Sequence, residues 1–410
     1  MDRGQPKDLN PSTVSIKSVP DYAPDRIIEA MRACLEPLGG MRAFVSPGQR
    51  VLLKPNIISA LGVDRAATTH PSVVRAAILL AQEAGGRVLV GDSPGMGTLA
   101  RAAQVCGISA VITETGATLV DFSEPHEFEQ QANTVAKKLI LTKALMDADV
   151  VISLPKLKTH SQMTITGALK NQYGLIPGAL KGQWHFRLQK QEWLAALILD
   201  VNRTVHPVLA IMDAVIAMEG PGPVSGTPRF VGALLAGRDL ASVDTIACQI
   251  IGLQPSRVPM LAAARKYSFG ETDLASIPTV GDDWRPLKVP DFKNVEQTVD
   301  LLRLIPLPQT MLHWIRRQWM ARPRILADRC IRCGICAKGC PVSPPAIQPS
   351  LAPARQVDDD RCIGCYCCHE FCPHKAIELS RSWLTRCMPL TAMADGVGRI
   401  LGSLSGRKKK

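Results

Sequence analysis

Nine of the thirteen Cys residues in this 410-residue chain lie between Cys330 and Cys372. Eight of them form two runs of identical spacing, each closed by Cys-Pro: Cys330, Cys333, Cys336 and Cys340, then Cys362, Cys365, Cys368 and Cys372. Soft thiolates suit iron–sulfur cores, and two-residue gaps let a tight loop wrap three corners of a cubane. Zinc is the alternative for Cys-x2-Cys pairs, but two complete runs favour iron and sulfur.

The two runs resemble the dicluster bacterial-type ferredoxin domain. The resemblance implies two 4Fe-4S clusters in a small α+β unit that moves electrons between closely spaced clusters. In that family the fourth Cys of each run ligates the cluster of the other run. The implied sets are therefore Cys330, Cys333, Cys336 and Cys372 for one cluster, and Cys362, Cys365, Cys368 and Cys340 for the other. Cys367 has no place in the pattern and is interpreted as a loop residue beside a ligand.

The first 300 residues have the pattern of an α/β domain with a mostly parallel sheet. Continuously apolar runs predict strands that are buried on both faces, at residues 50–54, 87–90, 150–154, 207–213 and 232–237. His70-Pro71 predicts the start of a helix that stops at Gly85-Gly86. Helical stretches between the strands complete βαβ units.

Polar residues lie mainly in the loops that follow these strands, at the sheet edge where parallel α/β proteins bind ligands. We expect them to surround one crevice. The candidate catalytic residues are Lys54, Asp92, Lys156, Lys158, His160, Lys170, His185 and Asp213, and the candidate substrate-binding residues are Asn171, Lys181 and Glu219. Several Lys suit a phosphate or carboxylate, and His160 or His185 would move a proton. The acids would orient the Lys side chains or hold a cation.

These residues have structural alternatives that the sequence leaves open. The Lys residues at strand ends could be solvated surface groups, and the two His residues could be structural. Asp213 could cap a turn. Asp239 is interpreted as a helix cap. Gly91-Asp92-Ser93-Pro94-Gly95 lacks the glycine spacing of a dinucleotide site.

The order of these motifs resembles the domain of unknown function 362 family from Lys54 to Gly252. The motifs begin at Lys54 (Lys-Pro-Asn), Thr69 (Thr-His-Pro), Gly91 (Gly-Asp-Ser-Pro), Pro155 (Pro-Lys-x-Lys-Thr-His), Lys170 (Lys-Asn-x-Tyr-Gly) and Glu219 (Glu-Gly-x-Gly-Pro). Members of that family often carry a dicluster ferredoxin module downstream, as this chain does. The resemblance implies an iron–sulfur protein but supplies no reaction and no catalytic residues.

The net charge of +12 lies mainly in residues 301–329 and 380–410. The remainder is near neutral and aromatics make up 4% of the chain, which excludes a nucleic-acid binder. With neither a membrane-length apolar run nor a secretory signal, we expect a cytoplasmic protein. The expected divisions are the α/β domain (1–300), a basic linker with an amphipathic helix at 309–321 (301–327), the ferredoxin domain (328–380) and a basic tail (381–410).

The leading interpretation is a ferredoxin-coupled redox enzyme, an iron–sulfur oxidoreductase that acts on a small anionic organic substrate and exchanges electrons with a partner protein. A non-catalytic electron carrier and an accessory protein for cofactor or metal assembly are the alternatives. Converging Lys and His side chains favour the enzyme, and splayed loops favour the carrier. The linker helix is expected to pack on the large domain. The tail is expected to contact an anionic membrane or an acidic partner, unless it is a disordered solubilising tail.

Overall fold

The computed structural model describes residues 9–95, 97–129, 135–136, 138–188, 190–295, 321–352 and 356–380. The chain forms two compact units, Met1–Val295 and Glu296–Lys410. Residues 309–320 of the expected linker helix and the whole basic tail lie outside the described residues. Among the helices that are described, none has both the length and the apolar character needed to cross a bilayer.

Strands and helices alternate through much of the first unit. Its strands are β1 (Val14–Ser18), β2 (Arg50–Pro55), β3 (Arg87–Asp92), β4 (Thr118–Asp121), β5 (Pro125–Glu129), β6 (Lys138–Thr142), β7 (Val150–Leu154), β8 (Lys156–His160), β9 (Thr164–Thr166), β10 (Leu209–Glu219), β11 (Thr227–Gly237) and β12 (Thr279–Gly281). Its helices are α1 (Pro24–Leu35), α2 (Pro71–Glu83), α3 (Leu99–Val105), α4 (Ile108–Thr115), α5 (Ala168–Asn171), α6 (Gly178–Arg187), α7 (Gln191–Val205), α8 (Leu240–Ile250) and α9 (Pro259–Lys266).

The main sheet is mostly parallel, as the sequence predicts. Its order is β12-β1-β11-β10-β7-β2-β3-β4, and the neighbours from β10 to β4 are parallel. β11 is antiparallel to both β1 and β10. The connection from β10 to β11 runs only from 220 to 226, and a connection that short returns the chain in the opposite direction.

Helices cover both faces of this sheet. Adjacent residues of β10 belong to different cores: Ala210 and Met212 pack with α7, α8 and α9, while Leu209 and Ile211 pack with α1, α2 and α3. Because alternate residues of a strand point to opposite faces, both faces require apolar side chains. This explains why the strands are continuously apolar rather than alternating.

The structure corrects three local assignments. Residues 156–160, expected in a loop, form β8, which pairs with β10 and β9. Asp213, expected at a strand end, lies inside β10, which continues to Glu219. Lys181 and His185, also expected in a loop, lie on α6. A buried strand with two lysines is unexpected, because burying an ammonium group costs desolvation free energy. In β8 the Lys side chains at 156 and 158 have buried polar partners, which offset that cost.

The second unit has a two-stranded antiparallel sheet and two short helices. β13 (Arg322–Ile325) pairs with β14 (Ile377–Ser380), and the helices are α10 (Ile335–Lys338) and α11 (Cys367–Phe371). Each helix includes or follows Cys residues of one run. The pairing of β13 with β14 joins the two ends of the Cys-rich region. Arg322, which was expected in the linker, is therefore part of this sheet.

Candidate functional site

Lys54, at the end of β2, forms a buried ion pair with Asp92 at the end of β3. Lys54 Nζ lies 2.8 Å from Asp92 Oδ1 and donates to Asn171 Oδ1 at 3.0 Å. Burial lowers the pKa of Lys54, and the Asp92 carboxylate opposes that shift. A Cβ on Gly174 would collide with both partners of the pair. The glycine therefore lets the backbone after α5 approach the pair closely.

An amide network extends this pair to Lys158 on β8. Lys158 Nζ donates to Asn56 Oδ1 at 2.8 Å, and Asn56 Nδ2 donates to Asn171 Oδ1 at 3.3 Å. Asn171 in turn donates to the carbonyl of Lys54 at 2.9 Å and to Ser153 Oγ at 3.0 Å. Lys54 and Lys158 are fully buried. The alternative of solvated surface lysines is therefore wrong for both residues.

A second buried pair joins Lys156 to Asp213. Lys156 Nζ lies 2.8 Å from Asp213 Oδ2 and also 2.8 Å from the hydroxyl of Tyr22. That hydroxyl donates to Asp213 Oδ1 at 2.6 Å. The His70 backbone N–H donates to Asp213 Oδ2 at 2.9 Å. Burial lowers the pKa of Lys156, opposed by the carboxylate, and raises the pKa of Tyr22.

The ring of His70 stacks on Tyr22 with the centroids 3.6 Å apart. His70 caps α2, and its Nδ1 accepts the N–H of Ser72 at 3.2 Å. Because Nδ1 is an acceptor there, the neutral ring carries its proton on Nε2. Burial lowers the pKa of His70 to about 4 against the opposing effect of Asp213. The imidazole is therefore uncharged at neutral pH.

Lys181 and His185 lie one turn apart on α6, on the same face of the helix. Lys181 is partly exposed as a residue, but its ammonium is enclosed and donates to the Ser93 carbonyl. Burial lowers its pKa to about 7; Lys54 and Lys170 add to the shift and Asp92 opposes it. Lys181 thus belongs electrostatically with the Lys54–Asp92 pair.

His185 is buried beside Tyr173, with the ring centroids 5.8 Å apart, and Lys170 Nζ lies 5.7 Å from the Tyr173 centroid. Burial lowers the pKa of His185 to about 3, and Lys170 and Lys181 add to that shift. His185 Nδ1 has no hydrogen-bond partner among the described residues. It is a buried polar atom in a region rich in ammonium groups.

Two predicted site residues have hydrogen bonds to other parts of the α/β unit. His160 Nδ1 accepts the N–H groups of Gln162 and Met163 at 3.2 Å each, in the turn after β8. Glu219 Oε2 accepts the N–H of Lys293 at 3.0 Å. Both residues are buried. These contacts join neither side chain to the Lys54 network or the Lys156 cluster, and the assignment of both residues to the same crevice stays a prediction.

In the second unit, four Cys residues surround each of two cavities. The first cavity is lined by Cys330, Cys333, Cys336 and Cys372. The second cavity is lined by Cys340, Cys362, Cys365 and Cys368. Among the described residues, no three metal-binding side chains converge as ligands of one ion would. Thiols spread around a cavity suit the corners of a cubane, so the residues fit a 4Fe-4S cluster at each position.

Cys367 lies outside both ligand sets. It was expected in a loop, but it is the first residue of α11 and is buried. His369 on the same helix contacts the Ile377 carbonyl of β14 through Nδ1, with 2.7 Å between the atoms. Helix α11 is therefore held against the sheet of the second unit.

Comparisons with known proteins match both parts of the chain. Residues 51–249 match the family described as Domain of unknown function (DUF362), and residues 322–373 match the 4Fe-4S dicluster domain. The chain is 37% identical over 261 residues to the thylakoid-associated protein sll1697 of Synechocystis sp.. The aligned region covers 63% of this chain and 81% of that relative. This chain belongs to the DUF362 family.

Two solved structures resemble this DUF362 protein over part of their length. One is the lactate racemase apoprotein from Thermoanaerobacterium thermosaccharolyticum, with 12% identity and a TM-score of 0.35 over 58% of each chain. The other is a Thermotoga maritima protein, with 14% identity and a TM-score of 0.35 over 56% of this chain and 59% of its own. The chain thus spans less than two thirds of either structure.

The dicluster match and the two Cys-lined cavities make this DUF362 protein an iron–sulfur protein with two 4Fe-4S clusters. Bound clusters supply one-electron transfer. The chain's own residues supply the thiolates and the surroundings that hold them.

Sequence reasoning missed four residues of the α/β site in this DUF362 protein: Tyr22, Asn56, His70 and Asp244. Asn56 and His70 were visible as parts of motifs. Tyr22 and Asp244 carry no local signal, because their partners lie far away in the sequence. Asp244 on α8 is fully buried, and its carboxylate accepts the N–H groups of Ala168 at 2.6 Å and Leu169 at 3.1 Å. It fixes the start of α5, which carries Lys170 and Asn171.

The expected cap at Asp239 is confirmed, since its Oδ1 accepts the N–H groups of Ala241 and Ser242.

Asp244 is expected to make the protein less stable as the pH rises from about 4 to about 7. Burial raises its folded-state pKa to about 7, above an unfolded value of about 3.9. Within that window the folded chain keeps a proton that the unfolded chain has released. The contribution of Asp244 to the free energy of unfolding therefore falls by about 1.4 kcal/mol per pH unit.

Urea unfolding of the wild type and Asp244→Asn across this pH window measures the effect. His70 and His185 have lowered pKa values and contribute a slope of the opposite sign, but they are unchanged in the variant. The difference between the two proteins therefore isolates Asp244. Parallel curves for the two proteins would contradict the prediction.

Proposed function

We propose that this protein is a ferredoxin-coupled redox enzyme that binds a small anionic organic substrate in its α/β unit. The clusters exchange single electrons with a partner protein and with that substrate. One observation carries the proposal. The fully buried Lys54 of β2 and Lys158 of β8, the buried His185 of α6, and Lys170 and Lys181 of α5 and α6 support a site at the carboxyl edge of the sheet. Ligands of parallel α/β sheets bind at this edge.

The charge at α6 supports an anionic ligand. Lys54 pairs with Asp92, and both Lys54 and Lys170 lie close enough to Lys181 to lower its pKa, which Asp92 opposes. Several ammonium groups near one another favour a phosphate or carboxylate ligand. His185 Nδ1 would form a hydrogen bond with the ligand, as acceptor or donor according to the tautomer. Lys181, with a pKa of about 7, would donate or accept a proton near neutral pH.

The same geometry weighs against the two alternatives. A non-catalytic carrier needs only a docking face, whereas each buried charge costs desolvation free energy that a docking face does not require. A protein that merely stores a ligand does not need a base with a pKa near neutrality. The perturbed groups are typical of functional sites.

The proposal predicts that an anion co-purifies with the protein. The wild type, Lys181→Met and the surface control Lys138→Met, whose side chain is 59% exposed, would be purified without oxygen. Mass spectrometry of the extracted small molecules is expected to find a carboxylate or phosphate compound with the wild type and the control. In Lys181→Met the amount should fall about tenfold, as expected for the loss of one charge-assisted hydrogen bond.

A second measurement separates enzyme from accessory protein. Adding the extracted compound to dithionite-reduced protein should reoxidise the clusters, followed by their visible absorbance. Retention of the compound by Lys181→Met would contradict the assigned site. A compound that binds without any reoxidation would contradict the redox reaction and favour the accessory role. His185→Phe, which removes the unpartnered ring nitrogen but keeps an aromatic ring, tests the site if Lys181→Met fails to fold.

A further inference from the structure

The two Cys runs have the same spacing but differ in the residues between the ligands. The first run reads Cys330-Ile331-Arg332-Cys333-Gly334, and the second reads Cys362-Ile363-Gly364-Cys365-Tyr366. Arg332 thus stands where the second run has Gly364, and Gly334 stands where the second run has Tyr366. The difference gives the two cluster positions unlike surroundings.

Arg332 occupies backbone space that favours glycine. Its φ is 56°, close to the 67° of Gly364 at the equivalent position. In this left-handed region a side chain crowds the backbone, and glycine does not. The second run makes the reverse exchange, because Tyr366, with a φ of 61°, stands where the first run has Gly334 at 74°. Each run thus carries one side chain in this region, and the two cavities differ in which side chain that is.

The first cavity reaches the protein surface. Cys333 is exposed, and Ile331, which lines the same cavity, is 64% exposed. At the second cavity the equivalent Ile363 is less exposed than Ile331, and none of the four ligand Cys residues is exposed. The ring-bearing Tyr366 lines the second cavity, where the first has only Gly334. Electron transfer between proteins needs a close approach, which the first cavity offers.

The charges next to the two cavities have opposite signs. Near the first run, Arg329, Arg332 and Lys338 are exposed along with one acid, Asp328. Just before the second run, Asp358, Asp359 and Asp360 are exposed and are followed by Arg361. A basic patch with an exposed apolar centre suits an acidic partner, because complementary charges steer and orient the encounter.

We propose that the surface formed by Ile331, Arg332 and Cys333, with Arg329 beside them, docks a small acidic one-electron carrier protein. Ile331 provides the apolar centre and the Arg side chains provide the charged rim. The carrier gives up one electron and this protein gains one, with no bond formed or broken. The inference rests on the electron-transfer part of the proposed function and not on the substrate.

Isothermal titration calorimetry of the oxidised holoprotein with an acidic plant-type ferredoxin tests this surface. At low ionic strength Arg332→Glu is expected to weaken binding about tenfold, and the loss should shrink in high salt. Arg361→Glu makes the same charge change beside the second run and is the matched control. It should change the dissociation constant by less than about twofold. Iron content and cluster absorbance verify that each variant holds both clusters.

A basic carrier of the cytochrome c class provides the reverse test, and Arg332→Glu should bind it more tightly than the wild type does. Arg332→Gly restores the residue of the second run and relieves the backbone, so it keeps the test valid if the Glu variant misfolds. The proposal would be overturned if Arg332→Glu and Arg361→Glu had equal effects on binding of the acidic carrier. It would also be overturned if the wild type bound the basic carrier more tightly than Arg332→Glu does. Loss of the substrate site in Lys181→Met would leave these results unchanged.

Discussion

Replacing Cys372 with Ser is expected to remove the cluster held by the first Cys run, although Cys372 belongs to the second. Cys372 lines the first cavity together with Cys330, Cys333 and Cys336. A serine hydroxyl is a poor substitute for a soft thiolate. Iron content should therefore fall from about eight atoms per chain to about four, since each cubane holds four. Cys340→Ser should remove the other cluster for the same reason.

The loss can be assigned to one cluster by comparison. Cys333→Ser removes a ligand that lines only the first cavity, and Cys365→Ser removes one that lines only the second. The electron paramagnetic resonance spectrum of reduced Cys372→Ser should match that of Cys333→Ser. Cys367→Ser is the matched control, because Cys367 lines neither cavity and should leave about eight iron atoms bound. A Cys372→Ser spectrum that matches Cys365→Ser would show that each run ligates its own cluster.

The ferredoxin-like unit was predictable because its information is local. Thiolate spacing fixes the loop around a cluster, and the repeat of the run reveals two of them. The start of the unit was not predictable. β13 lies in an Arg-rich stretch without an apolar pattern, and only its pairing with β14 marks it as a strand.

The α/β site was partly predictable for a different reason. Lys54 and Asp92 end parallel neighbouring strands, so sheet topology alone brings them together. The partner of Lys156 could not be inferred, because Asp213 lies inside a strand whose register with β8 is set by tertiary pairing. Tyr22 completes that cluster from a loop after β1 and has no sequence signal. Contacts fixed by register and long-range packing are those that a single sequence does not reveal.

Removing one partner of the Lys156–Asp213 pair is expected to destabilise the protein strongly. The two side chains are 2% and 0% exposed, and their charged atoms lie 2.8 Å apart. Lys156→Met would leave the carboxylate buried without its ammonium, which costs about 3–5 kcal/mol of unfolding free energy. Asp213→Leu should cost a similar amount, because it leaves the ammonium of Lys156 buried without its carboxylate.

The exposed pair Arg32–Glu83 is the matched control for this prediction. Its atoms also lie 2.8 Å apart, but the side chains are 58% and 49% exposed. Arg32→Met should therefore cost less than about 1 kcal/mol, because water replaces the lost partner. Urea unfolding of the holoprotein under anaerobic conditions, followed by far-ultraviolet circular dichroism, compares the variants. A loss in Arg32→Met equal to that in Lys156→Met would contradict the burial argument.

The double variant Lys156→Met/Asp213→Leu shows why the pair is present. Well-packed apolar residues in place of a buried ion pair are often neutral or stabilising, so the double variant should recover most of the loss caused by either single change. Fold stability would then not require these charges. Their position at the carboxyl edge of the sheet, beside the neutral imidazole of His70, would have to be explained by ligand binding. If the double variant instead lost as much unfolding free energy as the two single changes added together, the pair would be a structural element of β8 and β10.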